Sequence, residues 1–273
     1  MNNFSKRIIF GIIYVILIVS STVLGPVYFY GLFFIFMLFS LYEFMKMVDL
    51  RSVYPYILAI MSFSLAIVSN NNLIVFEDDF SEKINTSIVI VIIYFTLITT
   101  LVSSRKIAIQ YLGRIFLSFF YIAIPFSLLI KIPYLNFEQY FDTSIILGVF
   151  ILIWSNDVFA FLIGKNFGKH KLIERVSPNK TIEGFLGGFL FTFIAAYFVA
   201  QYCLSIQPIH WFSIAILVST FGVLGDLIES MFKRQAHIKD SSNFIPGHGG
   251  FLDRLDSVIF AIPFIYIYLY LIT

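Results

Sequence analysis

The chain is divided into apolar runs long enough to cross a bilayer, and few other folds can use such runs. A helix needs about 17–25 predominantly apolar residues to span the hydrocarbon. Nine runs approach or meet that length: Ile8–Leu24, Val27–Phe44, Val53–Val68, Ser87–Val102, Ile107–Ile130, Ser144–Ile163, Phe185–Leu204, Trp211–Ile228 and Val258–Ile272. Gly25-Pro26, Ser69-Asn70-Asn71-Asn72, Ser103-Ser104 and Pro208 punctuate them, as turn residues should. Only 12% of the residues are charged, against about 25% in soluble domains, which excludes an ordinary soluble enzyme. A lone Cys203 excludes an internal disulfide framework. A net charge of +2 gives no reason to expect a nucleic-acid partner. The expected fold is an all-α polytopic integral membrane protein of about nine transmembrane helices, one domain over 1–273. The first run follows Lys6-Arg7 with no small-residue cleavage site, so it reads as an uncleaved anchor.

Charge orients these spans. With the N-terminus cytoplasmic and the C-terminus extracytoplasmic, all but Lys83 and Lys131 of the 18 lysines and arginines lie on or next to the cytoplasmic side. Glu77, Asp78, Asp79, Glu82, Glu138 and Asp142 fall in the opposite loops. The large cytoplasmic loops, 164–184 and 229–257, both lie in the C-terminal half. Residues 1–143 therefore read mainly as scaffold and 144–273 as the part carrying the chemistry.

Two acids sit where charge is expensive. Asp157 lies inside the sixth run and Asp226 near the end of the eighth, and intramembrane carboxylates are functional candidates by default. A salt bridge to a neighbouring helix would explain Asp157 equally well. If the eighth helix continues, Asp226, Glu229 and Lys233 share one face, as do Asp226, Ser230 and Arg234. Snorkelling to the interface explains Lys233 and Arg234 but not the acids.

Downstream, Lys239-Asp240 leads into Gly247-His248-Gly249-Gly250 and Asp253-Arg254-Leu255-Asp256. Glycines flanking a histidine allow close backbone approach, and successive N–H groups can form an anion nest. Asp253 and Asp256 are hard oxygen donors suited to Mg²⁺ or Mn²⁺; a capped helix start is the plain alternative. In the other loop, Gly164-Lys165 and Ser177-Pro178-Asn179-Lys180-Thr181-Ile182-Glu183-Gly184 place lysines beside glycines, as polyphosphate or an anionic headgroup requires. His170, His210 and His237 show no partners at ligand spacing. Acidic clusters, many cations, a glycine-rich turn and no nucleophile–base pair describe phosphoryl or nucleotidyl transfer, in which catalysis is mostly positioning and charge neutralisation. At the cytoplasmic membrane edge, one substrate is a lipid and the other a soluble phosphate compound.

Ser230-Met231-Phe232-Lys233-Arg234, Lys239-Asp240, Pro246-Gly247-His248-Gly249-Gly250 and Asp253-Arg254-Leu255-Asp256 resemble, in order and spacing, the C-terminal motif of the phosphatidate cytidylyltransferases, or CDP-diacylglycerol synthases. The 177–184 segment, Asp157 with Gly164 and Gly168, and Glu43-Phe44 are also similar to that family. Asn179 stands where members often carry lysine. The detailed resemblance covers about residues 154–257. It implies the reaction of CTP with phosphatidic acid to give CDP-diacylglycerol and pyrophosphate, with Mg²⁺ and a second, monovalent cation such as K⁺. It also implies a homodimer in the bilayer. A phosphate monoester has its second pKa near 6, so the attacking lipid needs no general base.

On this reading Asp226, Asp253 and Asp240 hold metal, with Asp256 a further ligand or its support. Lys233, Arg234 and Arg254 neutralise the triphosphate, and His248 donates to phosphate. Ser177, Lys180, Thr181, Glu183, Lys239, Gly249, Gly250, Lys165 and Asp157 contribute to substrate binding. The compact length suits a bacterial plasma (inner) membrane with the site facing the cytoplasm. A CTP-dependent lipid kinase and a synthase acting on ether lipids such as archaetidic acid are alternatives. An ion-coupled transporter is a remote one, because transporters show broken helices in both halves.

Overall fold

The computed structural model describes residues 3–70, 109–136, 140–242, 244 and 249–273. They form eight helices and one hairpin: α1 Asn3–Leu24, α2 Pro26–Met47, α3 Tyr54–Asn70, α4 Ile109–Tyr134, α5 Thr143–Phe167, β1 Lys171–Ile173, β2 Ser177–Thr181, α6 Ile182–Tyr202, α7 Pro208–Gln235 and α8 Leu252–Ile272. The architecture is nearly all-α. α2 and α4 to α8 are long and apolar enough to cross a membrane, whereas the apolar parts of α1 and α3 are shorter. The expected span at 87–102 lies outside the described residues.

The breaks have local causes. Gly25, at φ 111°, turns the chain between α1 and α2, and Pro26 starts α2 where its missing N–H is no loss. The side chain of Asp142 caps α5 by accepting from Ser144 N at 2.7 Å. α4 and α7 each contain a π-turn, at Phe119–Ala123 and Val218–Gly222. In α4 the wide turn immediately precedes Pro125, whose ring would crowd the carbonyl four residues back in a regular helix.

The core joins both halves of the chain, with Phe29, Phe33, Phe126, Phe150 and Trp211 fully buried. Outward faces remain apolar: Ile12, Ile16, Leu186, Leu190 and Phe198 are exposed, as lipid contact requires. α5 and α6 pack most closely. A Cβ on Gly184 would lie 2.7 Å from the Ala160 carbonyl oxygen and 3.0 Å from Gly164 Cα. Only small residues permit such an approach, and it holds the hairpin against the C-terminal end of α5.

The helices overrun the apolar runs at the end that carries the hairpin. α7 continues to Gln235 and α8 begins at Leu252, so the acids and cations expected in loops stand on helical turns. The 164–184 loop contains the antiparallel hairpin, pairing Lys171 with Thr181 and Ile173 with Ser177. Thr181 then caps α6 through Gly184 N at 3.1 Å.

Candidate active site

The end of α5, the hairpin, α7 and the start of α8 enclose a cavity of about 760 Å³. Asp157, Asp226 and Asp256 gather along it, with Lys165, Lys180, Asp240, Asp253 and Arg254 also in its lining. Asp157 is open to this space despite its depth in α5, and Lys180 shares the lining with it. Its Oδ1 accepts from Ser257 Oγ at 3.4 Å. Asp256 is buried and accepts from Ser257 N at 2.8 Å. Lys180 Nζ lies 2.6 Å from Asp226 Oδ2, tying hairpin to helix.

Asp253 is held differently. Its Oδ1 accepts from Lys233 Nζ at 2.7 Å. Its Oδ2 accepts from Gly250 N at 2.7 Å and Ser241 N at 3.0 Å, and Ser241 Oγ lies 3.0 Å from it. Lys233 also pairs with Glu229, one turn behind it on α7, and Glu229 is fully buried. One lysine thus bridges two carboxylates. Asp253 gives one oxygen to Lys233 of α7 and the other to Ser241 and Gly250, while lining the same cavity as Asp226 and Asp256.

The donor chemistry fits a hard divalent cation. Asp157, Asp226 and Asp256 share the cavity with Lys180, whose ammonium already neutralises Asp226. Among the described residues no three His, Cys, Asp or Glu side chains converge as they stand on one metal position. The fit therefore rests on hard oxygen donors, five carboxylates set among five lysine and arginine side chains, not on a closed cage.

A larger hollow of about 1000 Å³ adjoins the site between α2, α4 and α7, with Asp240 common to both linings. Its charges, Lys46 and Arg114 against Asp49 and Asp240, balance. Arg114 Nη1 is engaged by the Asp49 carbonyl at 2.9 Å. The smaller cavity has the concentration of carboxylates and lysines that phosphate chemistry needs.

A model of the cytidylyltransferase family matches residues 5–272. The chain belongs to the cytidylyltransferase family. A relative named phosphatidate cytidylyltransferase, from Bacillus subtilis (strain 168), is 34% identical over 270 residues, 97% of each chain. Proteins of the same name from Staphylococcus aureus (strain COL) and Staphylococcus epidermidis (strain ATCC 12228 / FDA PCI 1200) are 46% and 45% identical over 126 residues. Those matches span 45% of this chain and 48% of theirs.

Of the residues expected to serve this family's chemistry, Asp157, Lys165, Lys180, Thr181, Asp226, Lys233, Asp240, Asp253, Arg254 and Asp256 line the cavity. Others stand behind it. Arg234 Nε donates to the Val176 carbonyl at 3.4 Å, and Ser177 opens β2. Lys239 is exposed on the stretch after α7. Gly249, at φ 85°, and Gly250 shape the turn around Asp253. Glu183 accepts from Lys169 N at 3.0 Å and His170 N at 3.1 Å, and its Oε1 lies 2.6 Å from His170 Nδ1. It closes the hairpin, and His170 therefore has a partner that its sequence spacing did not suggest. His248 lies outside the described residues.

Sequence reasoning gave two buried carboxylates no individual role. Glu229 appeared only as part of a helical stripe. Glu43 appeared only through resemblance, although an acid inside an apolar run was a signal in its own right.

Proposed function

We propose that the chain transfers the cytidylyl group of CTP to phosphatidate at the cytoplasmic face of the membrane, forming CDP-diacylglycerol and pyrophosphate. The observation that carries this is a carboxylate- and lysine-lined cavity at the ends of membrane-length helices, in a chain 34% identical over 97% of its length to a phosphatidate cytidylyltransferase. A lipid phosphate oxygen attacks the α-phosphorus. A new P–O bond forms, the bond to the β-phosphate bridge breaks, and pyrophosphate leaves. The attacking monoester is largely dianionic at neutral pH, so the protein's task is to bring anions together.

Lys165, Lys180 and Arg254 line the cavity and would screen the triphosphate as it binds. Asp226 and Asp256, with Asp157 beside them, would hold Mg²⁺, and Asp240 is available as a further oxygen donor. Bound there, the metal would neutralise phosphate oxygens and favour in-line displacement. Asp253 and Lys233 support these groups by fixing the start of α8 against α7. We further propose nine spans with a cytoplasmic N-terminus, a monovalent cation such as K⁺, a homodimeric state and a bacterial plasma-membrane location. The positive-inside distribution supports the orientation.

The deciding experiment supplies purified protein with Mg²⁺, phosphatidate and CTP labelled at the α-phosphate. Label in the lipid with stoichiometric pyrophosphate is expected. Release of labelled CDP with an unlabelled lipid product would instead mean a lipid kinase.

A further inference from the structure

Glu43 sits near the cytoplasmic end of α2, in the half of the chain that carries few other polar groups, and is 1% exposed. Its carboxylate accepts from four neutral donors. Oε1 takes Phe251 N at 3.1 Å and Ser242 Oγ at 2.5 Å; Oε2 takes Leu252 N at 2.8 Å and Ser241 Oγ at 2.9 Å. Two donors lie at 241–242 and two at 251–252, so a single side chain ties these two stretches of chain together. The first N–H groups of α8 have no partner within the helix, and Glu43 supplies one to Leu252 from a different helix.

The same clamp reaches the cavity. Ser241 Oγ lies between Glu43 Oε2 and Asp253 Oδ2, at 2.9 and 3.0 Å, and Gly250 N donates to that Asp253 oxygen. Gly250 is packed so tightly here that a Cβ would run into both Ser241 Oγ and the Glu43 carboxylate.

We propose that Glu43 is a positioning residue for the transfer reaction, a carboxylate from the N-terminal half that fixes the turn at 249–252 and, through it, Asp253 and Arg254 at the cavity. The proposal rests on the function given above. Simple helix capping would require stability alone. Positioning requires that turnover depend on the geometry of the turn.

Glu43→Gln separates the two. The backbone donors Phe251 N and Leu252 N address different oxygens, so either amide orientation sets an NH₂ group against one of them. A displacement of about 1 Å at reacting groups can lower turnover by about 100-fold. We expect a kcat loss of that order with KM for phosphatidate unchanged. Amide hydrogen exchange should quicken in 249–255 and stay at the wild-type rate in α5 and α6. Ser241→Ala, which removes the hydroxyl lying between Glu43 and Asp253 but leaves Phe251 N and Leu252 N on Glu43, should shift kcat in the same direction by less, and it decides the question if Glu43→Gln fails to fold.

Wild-type kcat in Glu43→Gln, or a loss accompanied by faster exchange throughout the chain, would overturn the positioning role. If Glu43→Gln does not fold, an unchanged kcat in Ser241→Ala would overturn it as well. Absence of CDP-lipid from the wild-type protein would sink the function instead, and the exchange pattern would then judge the clamp on its own.

Discussion

Lys180 on the second strand of the hairpin and Asp226 on α7 form an ion pair, with Nζ 2.6 Å from Oδ2. The contact joins the two segments that carry most of the chain's polar motifs. Both side chains keep part of their surface open, 24% and 37%. A pair so exposed contributes about 0–1 kcal/mol to stability, so its importance lies in what each group does toward a ligand.

Replacing Lys180 by Met should therefore barely move Tm. Loss of one preorganised charge or donor facing the transferred group typically costs about 100-fold or more in turnover. Steady-state kinetics with varied CTP, beside thermal unfolding in detergent, will separate the two quantities. A Lys180→Met protein with near-normal kcat/KM for CTP would remove this lysine from triphosphate binding.

Asp226→Asn and Asp253→Asn should both abolish turnover, yet differ in stability. Asp226 is part-exposed, and its loss should leave the fold intact. Asp253 is 6% exposed and paired with Lys233; breaking a buried pair costs about 3–5 kcal/mol. Unfolding curves should show a clear drop in Tm for Asp253→Asn alone. Substantial activity in Asp226→Asn would overturn its assignment as a metal ligand.

Gly184→Ala should wedge α5 from α6 at the rim of the cavity, because the nearest atoms to a new Cβ belong to the backbone of Ala160 and Gly164. Overpacking of this kind costs about 1–3 kcal/mol, and activity should fall with Tm. Gly31→Ala is the matched control: an added methyl there meets nothing within 4 Å. It should be neutral or slightly stabilising by the helix preference of about 0.5–1 kcal/mol.

Chelation should stop transfer reversibly. EDTA-treated protein should form no CDP-lipid, and added Mg²⁺ should restore it. Asp256→Asn should raise the Mg²⁺ concentration needed for half-maximal binding of a non-reacting CTP analogue, measured by calorimetry. Full activity after exhaustive chelation would exclude metal-assisted transfer.

Much of this was legible in the residues. Apolar run length located the long helices, and continuing the 3.6-residue repeat past Ile228 placed Asp226, Glu229 and Lys233 on one face, as α7 does. The hairpin was not legible: strands of three and five residues, one bearing Pro178, show no alternation to distinguish them from a polar loop. The different partners of Asp253 and Asp256 were hidden too. Their i, i+3 spacing put both toward the cavity, which both line, but Ser241, Gly250 and Lys233 reach Asp253 alone. The contact from Glu43 to Leu252 joins residues 209 positions apart, and no local periodicity encodes such a partner.

The π-turn at Val218–Gly222 has a consequence for how this helix tolerates change. Each residue of an α-helix advances the side-chain direction by about 100°, so one extra residue accommodated in a wide turn resets the angular phase of everything after it. Asp226, Glu229 and Lys233 all lie downstream. A substitution within 218–222 that closed the wide turn into a regular α-turn would leave a straight helix of sound apolar composition, yet it would rotate the acids and the lysine away from α8 together. The width of that turn is thus as binding a requirement on the site as the identity of any side chain in it.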